Sequence, residues 1–356
     1  MQALRNLCLA LLLLPGAALA FTPESGVWGD RNNTRTGMTF DVQDNILIIT
    51  AYIYRADGSA NWFSSAGPLN YVYNANGGLL RVSYQGTFDA VTGGTCIGCG
   101  PAQAVSTIGA GGAFRIDFAT EIRGQMTWQG RQFPIDRATF ALGNPTERML
   151  GEWNLTLDFK DRGNQGYPYA DFPFFGDVLV IDRIDRTRVP NQYQGCRPDS
   201  SLDGFCSAIA RANHDLAGFY DAAAEEHVIV LKDVPAAGGA RAVFFAYFLD
   251  AGTSQFDGVV ELYLAGDTPG DGPFYPVRGF RSASRTYVLT GAGPARAEPG
   301  DKAHRAQAVA GLSQALAKRG ALPAGLSAAE VKTRYDIDVS RLAPMAALLT
   351  AQISAR

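Results

Sequence analysis

Apolar and polar residues alternate with a period of two in many short stretches between residues 26 and 290, for example at 38–43 and 114–118. This alternation is typical of β-strands that bury one face and expose the other. Turn-forming residues separate the stretches, as at Asp57-Gly58, where both residue types tolerate the positive φ of a tight hairpin. The pattern therefore predicts a mainly β protein built from antiparallel meanders.

The first meander is predicted between residues 21 and 145. Its nine strands are expected at about 27–30, 38–43, 46–54, 61–67, 79–86, 104–108, 114–119, 122–129 and 132–142. Eight or nine antiparallel strands usually close into a barrel, because closure removes the exposed edges. Residues 46–54 are apolar on both faces, which predicts a central strand or one whose outer side is covered by another part of the molecule.

A second barrel or strongly curled sheet is predicted between residues 146 and 291. Its strands are expected at about 152–159, 177–184, 218–221, 227–232, 242–249, 258–264, 274–280 and 285–289. Residues 185–217 are expected to leave this sheet as an excursion that Cys196 and Cys206 close.

Residues 292–356 are rich in Ala, Leu, Lys and Arg and predict a helical C-terminal segment. Apolar residues recur there at helical spacing at Val309, Leu312 and Leu316. Residues 327–330 read Ser-Ala-Ala-Glu, a capping box that predicts the start of a second helix. A last helix is expected from near residue 342 or 344 to residue 353.

Residues 1–20 have the features of a secretory signal peptide: Arg5, an apolar run over residues 7–14, and Ala18-Leu19-Ala20 before Phe21. The small-x-small triplet is typical of a cleavage site, and the apolar run is too short to span a membrane. The sequence therefore predicts a periplasmic or secreted protein.

Four cysteines follow the predicted signal, at Cys96, Cys99, Cys196 and Cys206. An even cysteine count in an exported chain predicts disulfides, and the two local pairings, 96 with 99 and 196 with 206, close the shortest loops. A redox pair at Cys96-Ile97-Gly98-Cys99 and a zinc site formed by all four cysteines are the alternatives. The Gly-rich surroundings of the Cys-x-x-Cys motif disfavour the helix that a redox pair needs.

The chain has 356 residues, of which 47% are hydrophobic and 18% charged, and its net charge of −3 argues against a nucleic-acid binder. From residue 294 to the end, nine basic residues face five acidic ones. This charge asymmetry favours docking of the tail on the more acidic barrels. Weak contact between the basic tail and an anionic membrane surface is the alternative.

Gly26-Val27-Trp28 opens the first meander, and Gly151-Glu152-Trp153 opens the second. The repeated Gly-x-Trp resembles the signature of the calycin-like barrels, the lipocalins and avidins. The resemblance implies that each Trp closes one end of its barrel and that an Arg from the last strand packs across the ring. The matching arginine in the first meander is Arg137. In the second meander it is Arg285, with Arg281 as the alternative.

Residues 48–63 carry the pattern Tyr-x-Tyr-x-x-Asp-Gly-x-x-x-Trp, which is followed by Gly67-Pro68 and by the Cys-x-x-Cys motif. This combination resembles a β-module of exported bacterial proteins without assigned activity. The chain departs from that module at Arg55 and Ala60, where the module tends to have Asp and Pro. The resemblance covers residues 24–142 and implies no catalytic residue.

No nucleophile elbow, zinc-protease helix, phosphate loop or nucleotide fingerprint occurs in the sequence, and neither a metal nor a cofactor is predicted. Each of the acid–histidine neighbours, at His214 and His227, is more typical of a solvated strand edge than of a catalytic dyad. Residues 267–272 are more typical of a turn than of a calcium loop. A carboxylate pair, as in a glycosidase, needs none of these motifs.

Two functions remain open. The first, which we favour, is a non-enzymatic binding protein that holds a small molecule, a glycan or a protein partner at a barrel mouth. The second is a hydrolase of cell-wall or extracellular polymers with a carboxylate pair.

If Trp28 closes one end of the first barrel, the connections near residues 31–36, 55–60 and 87–103 lie together at the other end. The predicted ligand residues at this mouth are Asn32, Asn33, Arg35, Tyr54, Asp57, Trp62 and Tyr84. The competing interpretation is that Tyr54 and Trp62 form an ordinary cross-strand pair.

Overall fold

The computed structural model describes residues 21–73, 79–159, 174–198, 206, 215–234, 241–290, 317 and 325–355. The protein is mainly β, with two closed eight-stranded antiparallel barrels and a helical C-terminal part, as the sequence pattern predicted. The proposed signal at residues 1–20 and the helix expected to carry Val309, Leu312 and Leu316 lie outside the described residues.

The first barrel region contains nine strands, eight of which form the closed ring. They are β1 (Gly26–Asp30), β2 (Asn33–Gln43), β3 (Ile46–Tyr54), β4 (Ala60–Pro68), β5 (Asn70–Tyr73), β6 (Leu79–Gly93), β7 (Ala104–Phe118), β8 (Arg123–Trp128) and β9 (Arg131–Arg137). Neighbouring strands pair antiparallel in the order β4-β3-β2-β1-β9-β8-β7-β6, and β4 pairs with β6 to close the ring. Strand β5 lies outside the ring and pairs with the beginning of β6.

The structure differs from the predictions for this region in four ways. Strand β5 had not been predicted. The strands expected at 104–108 and 114–119 are one strand, β7, which continues through a register shift where Gly109 and Gly112 adopt positive φ. Strand β6 continues to Gly93, so the first seven residues of the expected connection over residues 87–103 belong to a long hairpin with β7. Residues 138–142 leave the sheet for a short 3₁₀ helix, Phe140–Leu142.

The interior of the first barrel is apolar and rich in aromatic rings. Leu47, Ile49 and Ala51 of β3 are fully buried, whereas Ile46 and Ile48 on the outer side remain 40% and 44% exposed. The outer side of β3 is therefore not covered by any described part of the chain, contrary to one of the two predictions for this strand.

The second barrel contains eight strands, each paired antiparallel with the next, and β17 pairs with β10. They are β10 (Gly151–Asp158), β11 (Phe174–Asp185), β12 (Gln192–Cys196), β13 (Asp215–Asp221), β14 (Glu226–Asp233), β15 (Val243–Ala251), β16 (Gln255–Leu264) and β17 (Phe274–Ala283). Strand β12 lies within the predicted excursion and completes the ring. A short helix, α1 (Pro145–Arg148), connects the two barrels.

The strand predicted at residues 285–289 is instead a helix, α2 (Arg285–Thr290). Its Thr, Tyr and Val residues favour a strand locally. However, β17 already closes the barrel and offers no free edge. The Ser284 hydroxyl accepts a hydrogen bond from the N–H of Tyr287 at 3.2 Å, and Val288 packs against the buried Cys196 and Cys206.

Both predicted cysteine pairings are confirmed at disulfide distance. The Cα atoms of Cys96 and Cys99 are 5.1 Å apart, and those of Cys196 and Cys206 are 5.5 Å apart. The first pair lies in the exposed loop between β6 and β7, and the second is fully buried. Two disulfides are typical of a protein that resides outside the reducing cytoplasm. None of the described helices has the length and hydropathy needed to span a membrane.

Two C-terminal helices, α3 (Ala328–Tyr335) and α4 (Val339–Ser354), cover the outer face of the second barrel. The predicted capping box is present, since the Ser327 hydroxyl accepts from the N–H of Glu330 and the Glu330 carboxylate accepts from the N–H of Ser327. Leu342, Leu349 and Ile353 of α4 pack against the outward side chains of β13–β15. The apolar face of these helices is therefore buried on the barrel.

Glu24, just before β1, connects the two barrels. Its carboxylate accepts hydrogen bonds from the backbone N–H groups of Thr253, Ser254 and Gln255 and from two hydroxyls, at 2.8–3.3 Å. Nearby, Nε of Arg123 lies 3.2 Å from the buried carboxylate of Asp250. These contacts join the ends at which the two Gly-x-Trp motifs lie.

Candidate functional site

The two Gly-x-Trp motifs form corresponding structures in the two barrels. Trp28 and Trp153 are fully buried. The indole N–H of each donates to the carbonyl four residues earlier, at 2.9 Å in both cases. Gly26 and Gly151 have φ values of +132° and +147°, a region that favours glycine. A Cβ at Gly26 would overlap the guanidinium of Arg137, and one at Gly151 would overlap that of Arg281.

Arg281, rather than Arg285, occupies the corner of the second barrel. Its Cζ lies 4.1 Å from the centre of the Trp153 ring, and its guanidinium donates to the carbonyl of Leu150. Burial lowers the pKa of Arg281 to about 10. Arg285 cannot reach this position because it lies in α2, where it forms an ion pair with Glu147 at 2.8 Å.

Arg137 has the corresponding position in the first barrel. It is paired with Trp28 across β9 and β1, as Arg281 is paired with Trp153 across β17 and β10. Its guanidinium donates to the carbonyl oxygens of Ser25, at 3.0 Å, and of Ala138. The backbone carbonyls that lead into each Gly-x-Trp motif are thus held by an arginine from the last strand.

Above the buried Trp28, the first barrel opens into a cavity of about 420 Å³, which we call the mouth cavity. Its apolar wall consists of inward-facing residues from four strands: Met38, Ala51, Ile53, Trp128 and Phe133. The remaining lining residues are Asp30, Asn33, Gly37, Tyr54, Gln129 and Arg131. The cavity is within the size range of small-molecule sites, with a mainly apolar wall and a few polar groups.

Trp128 is held firmly at the base of the mouth cavity. Its indole N–H donates to the carbonyl oxygen of Gly111 at 2.7 Å. Its ring lies 4.8 Å from that of Phe88 and 5.7 Å from that of Phe63, measured between centroids. The aromatic cluster below it closes the barrel toward Trp28. The mouth cavity is therefore a cup that is open at one end.

The structure places the seven predicted ligand residues in different environments. Asn33 and Tyr54 line the mouth cavity. Asn32 is exposed in the β1–β2 turn, where its N–H donates to Asp30. Asp57 is exposed in the β3–β4 turn, where hydrogen bonds from Ser59 lower its pKa. The side chain of Arg35 lies outside the described part of the structure.

Tyr84 is not at the mouth. It is buried lower in the barrel, where its hydroxyl lies 2.8 Å from that of Ser65, and burial raises its pKa. The prediction placed it near the mouth because β6 was expected to end at residue 86. Strand β6 continues for seven residues beyond that point, which moves Tyr84 into the middle of the barrel.

Trp62 lies outside the barrel. It is 55% exposed and pairs across the sheet with Tyr52, not with Tyr54. The two rings meet edge to face with centroids 5.2 Å apart. Trp62, Tyr52 and Tyr54 line a groove of about 640 Å³ on the outer surface of β9, β1, β2, β3 and β4, which we call the outer groove. The predicted site residues are thus divided between the mouth cavity and this groove.

Several mouth residues were missed by the sequence analysis, above all Trp128, Phe133 and Arg131. One signal was present: Phe133 lies four residues before Arg137 in the same predicted strand, so both face the side of the sheet on which Arg137 is expected to pack across Trp28. The height of Trp128 in the barrel depends on how far β6 and β7 extend, which the strand pattern did not define.

The second barrel has a charged cluster at the end opposite Trp153. Arg197 is buried between Asp177, 2.8 Å away, and Asp233, and its Cζ lies 4.6 Å from the centre of the Phe245 ring. Burial alone would lower the pKa of Arg197, but the two carboxylates outweigh it and raise that pKa. This guanidinium lies in the interior, at the end that corresponds to the mouth cavity of the first barrel.

Within the described ranges, no three His, Cys, Asp or Glu side chains lie close enough together to hold a metal ion. His227 is buried beside Tyr193, with 3.4 Å between Nδ1 and the hydroxyl, and burial lowers its pKa to about 3. Comparisons with models of protein families, with curated proteins and with solved structures found no match for this chain.

Proposed function

We propose that this chain is an exported, non-enzymatic binding protein whose first barrel takes a small molecule into the mouth cavity. The single observation that carries this proposal is the shape and lining of that cavity. It combines an apolar wall with charged and amide groups at its opening, and it ends at an aromatic base. A ligand with an apolar body and a polar end matches this arrangement.

The polar groups of the mouth cavity would orient such a ligand. Asp30 is an acceptor, and Arg131 presents a guanidinium with several donors. Asn33 and Gln129 can donate and accept. With Trp128 and Phe133 behind them, these groups favour a molecule that buries its apolar part first and keeps its polar end at the rim.

The lining of the cavity favours binding over hydrolysis. Among the described residues that line it, Asp30 is the only carboxylate, whereas a glycosidase needs two. The carboxylates of Glu226 and Asp250 lie on either side of Arg123, but both are buried at the junction of the barrels. Burial raises the pKa of both groups.

The resemblance to the lipocalins and avidins belongs to the same proposal. It is supported by the two corners in which a Gly-x-Trp motif meets an arginine from the last strand. A periplasmic or secreted location is supported by the two disulfides and by the signal-like residues 1–20.

The proposal is tested by a thermal-shift screen of the full chain against lipids, sugars and peptidoglycan fragments. A compound that binds only the native state raises the melting temperature. The site is then assigned by fluorescence titration. We expect Trp128→Phe to remove the ligand-dependent signal and Trp62→Phe to retain it, because Trp62 does not line the mouth cavity.

A second variant, Ala51→Leu, adds apolar volume to the wall of the cavity and should weaken binding at least tenfold in a chain with a native circular dichroism spectrum. The proposal fails if no compound in the screen shifts the melting temperature of the folded wild type. It also fails if binding is unchanged in both Trp128→Phe and Ala51→Leu.

A further inference from the structure

The outer groove has a floor without side chains. A single row of paired residues crosses it from strand to strand: Trp62 with Tyr52, Tyr52 with Gly37, Gly37 with Gly29, and Gly29 with Asp136. Because adjacent strands are about 4.8 Å apart, the two central glycines leave a strip of bare backbone about two strands wide. The neighbours of this strip form the walls.

One wall is aromatic. Trp62 and Tyr52 stand on the outer surface of β4 and β3, 55% and 38% exposed, with their rings in edge-to-face contact. The Tyr52 hydroxyl lies 3.5 Å from that of Thr39. Two large rings that are exposed side by side, at the edge of a groove, are typical of a binding surface.

The opposite wall is polar. The guanidinium of Arg31 donates two hydrogen bonds to the carboxylate of Asp136, at 2.6 and 2.8 Å. Both side chains remain more than one third exposed. The bidentate contact fixes the position of both groups, and each retains hydrogen-bonding capacity toward the solvent. Nη1 of Arg31 also lies 3.7 Å from Glu225 in a turn of the second barrel.

This combination selects the chemistry of the occupant. A cation at the polar wall would be repelled by Arg31, and an anion would be repelled by Asp136. A wholly apolar molecule would remove water from both groups and leave them without replacement partners. A neutral sugar ring avoids each of these costs. It has an apolar C–H face for the rings and a rim of hydroxyls that both donate to a carboxylate and accept from a guanidinium.

We propose that the outer groove is a second binding site, for a neutral glycan chain. A pyranose ring stacks on Trp62 and Tyr52, and its hydroxyls bond to Arg31 and Asp136 across the Gly29–Gly37 floor. The bare backbone lets the ring approach the sheet closely. The glycines at this pair of positions are thereby assigned a role in binding, since a side chain at either would occupy the groove.

The outer groove is separable from the mouth cavity. The two share Asp30, Gly37, Ile53 and Tyr54 at the open end of the barrel. The two walls of the groove, however, contribute no residue to the mouth cavity. Variants of Trp62 and Arg31 therefore test the glycan site without altering the cavity proposed above.

The test is a titration of the full chain with neutral hexasaccharides of glucose and of N-acetylglucosamine, followed by tryptophan fluorescence and by calorimetry. We expect at least one of them to bind with half-saturation at or below about 1 mM. Trp62→Ala should weaken this binding at least tenfold. Gly37→Val should abolish it without loss of folding, because a Cβ at Gly37 meets no described atom within 4 Å.

Two controls localise the site. Ile48→Ala removes an exposed apolar side chain from the same face of β3 but outside the groove, and should leave the affinity unchanged. Ala51→Leu, which fills the mouth cavity, should also leave it unchanged. The proposal is overturned if neither hexasaccharide binds, if Trp62→Ala and Gly37→Val bind as the wild type does, or if either control weakens binding as much as Trp62→Ala.

Discussion

The two barrels share their strand number, their strand pairing and their Trp–Arg corners, but they differ in what covers them and what fills them. The outer face of β13–β15 in the second barrel is buried under α3 and α4, whereas Trp62 and Tyr52 on the outer face of the first are exposed. The first barrel has a cavity at the end opposite its Trp, where the second has Arg197 between two carboxylates.

This difference indicates a division of roles within one chain. Surfaces that are covered by helices or filled by ion pairs contribute to stability and are inaccessible to ligands. The first barrel keeps a free inner cavity and a free outer groove, and both proposed sites lie there. The second barrel contributes the buried junction at Glu24 and the docking face for the C-terminal helices.

The largest difference is expected from removing the arginine that lies at the end opposite the Gly-x-Trp motif in each barrel. Arg197→Met leaves Asp177 and Asp233 without their shared cation in the interior, and should lower the free energy of unfolding by about 4 kcal/mol. Arg131→Met at the mouth of the first barrel removes an exposed charge and should cost less than about 0.5 kcal/mol. Denaturant unfolding measures both, and equal losses would contradict the comparison.

The next effect concerns the covered outer face. Leu349→Ala removes a buried side chain between α4 and the second barrel, and should cost about 3 kcal/mol because a cavity remains. The neighbouring Leu348 is 64% exposed, so Leu348→Ala should change stability by less than about 0.5 kcal/mol. A small loss for Leu349→Ala in thermal unfolding would mean that the helices are not firmly docked.

A smaller effect distinguishes the two Gly-x-Trp corners. Gly151→Ala places a Cβ 2.8 Å from the backbone carbonyl oxygen of Ala283 as well as against Arg281, and should cost about 2 kcal/mol. At Gly26 the nearest atoms belong only to the flexible Arg137 side chain, so Gly26→Ala should cost less. If Gly26→Ala lowered the melting temperature more than Gly151→Ala, the contacts described at the two corners would not explain their stability.

The smallest effect is a pH dependence in the second barrel. Burial raises the pKa of Glu261 to about 7, although its carboxylate accepts from the N–H groups of Gly270 and Gly272. The folded state then holds this proton more tightly than the unfolded state. Stability is therefore lost as pH rises from about 4.5 to about 7, by at most about 1.4 kcal/mol per pH unit.

Glu261→Gln should remove this slope in melting temperature against pH. Asp57→Asn in the first barrel is the matched control. Asp57 is exposed and its pKa is lowered by Ser59, so it stays ionised through this range and its replacement should leave the slope intact. A melting temperature that falls with pH as steeply in Glu261→Gln as in the wild type and in Asp57→Asn would contradict the assignment.

Local pattern was sufficient for a large part of this fold. Period-two alternation predicted most strands, because each strand buries one face whatever it pairs with. The capping box at Ser327 and Glu330 is a contact between near neighbours and was equally visible. The two disulfides followed from the short spacing of the cysteines in a chain with a predicted signal peptide. The helix at residues 285–290 was missed because its residues favour a strand and only the closed barrel denies them a partner.

The candidate site was less predictable than the fold. Tyr54 and Asn33 were found because they flank turns at one end of the meander. Trp128 was not found, since its height in the barrel depends on the extension of β6 and β7 beyond their predicted ends. The sequence analysis assigned Trp62 to the correct hairpin. The pairing register of β3 and β4, which the spacing along the chain does not define, makes Tyr52 rather than Tyr54 its cross-strand neighbour.

By itself, the sequence determined the strand periodicity, the turns, the caps and the residues that meet within a few positions of one another. Tertiary structure alone decided which distant residues face one another: Gly29 beside Gly37, Arg281 rather than Arg285 over Trp153, and α4 over one barrel but not the other. The physical reason is that alternation defines the two faces of a strand but not its register. A shift along the partner strand changes every cross-strand neighbour at little local cost, until the packing of the whole barrel selects one arrangement.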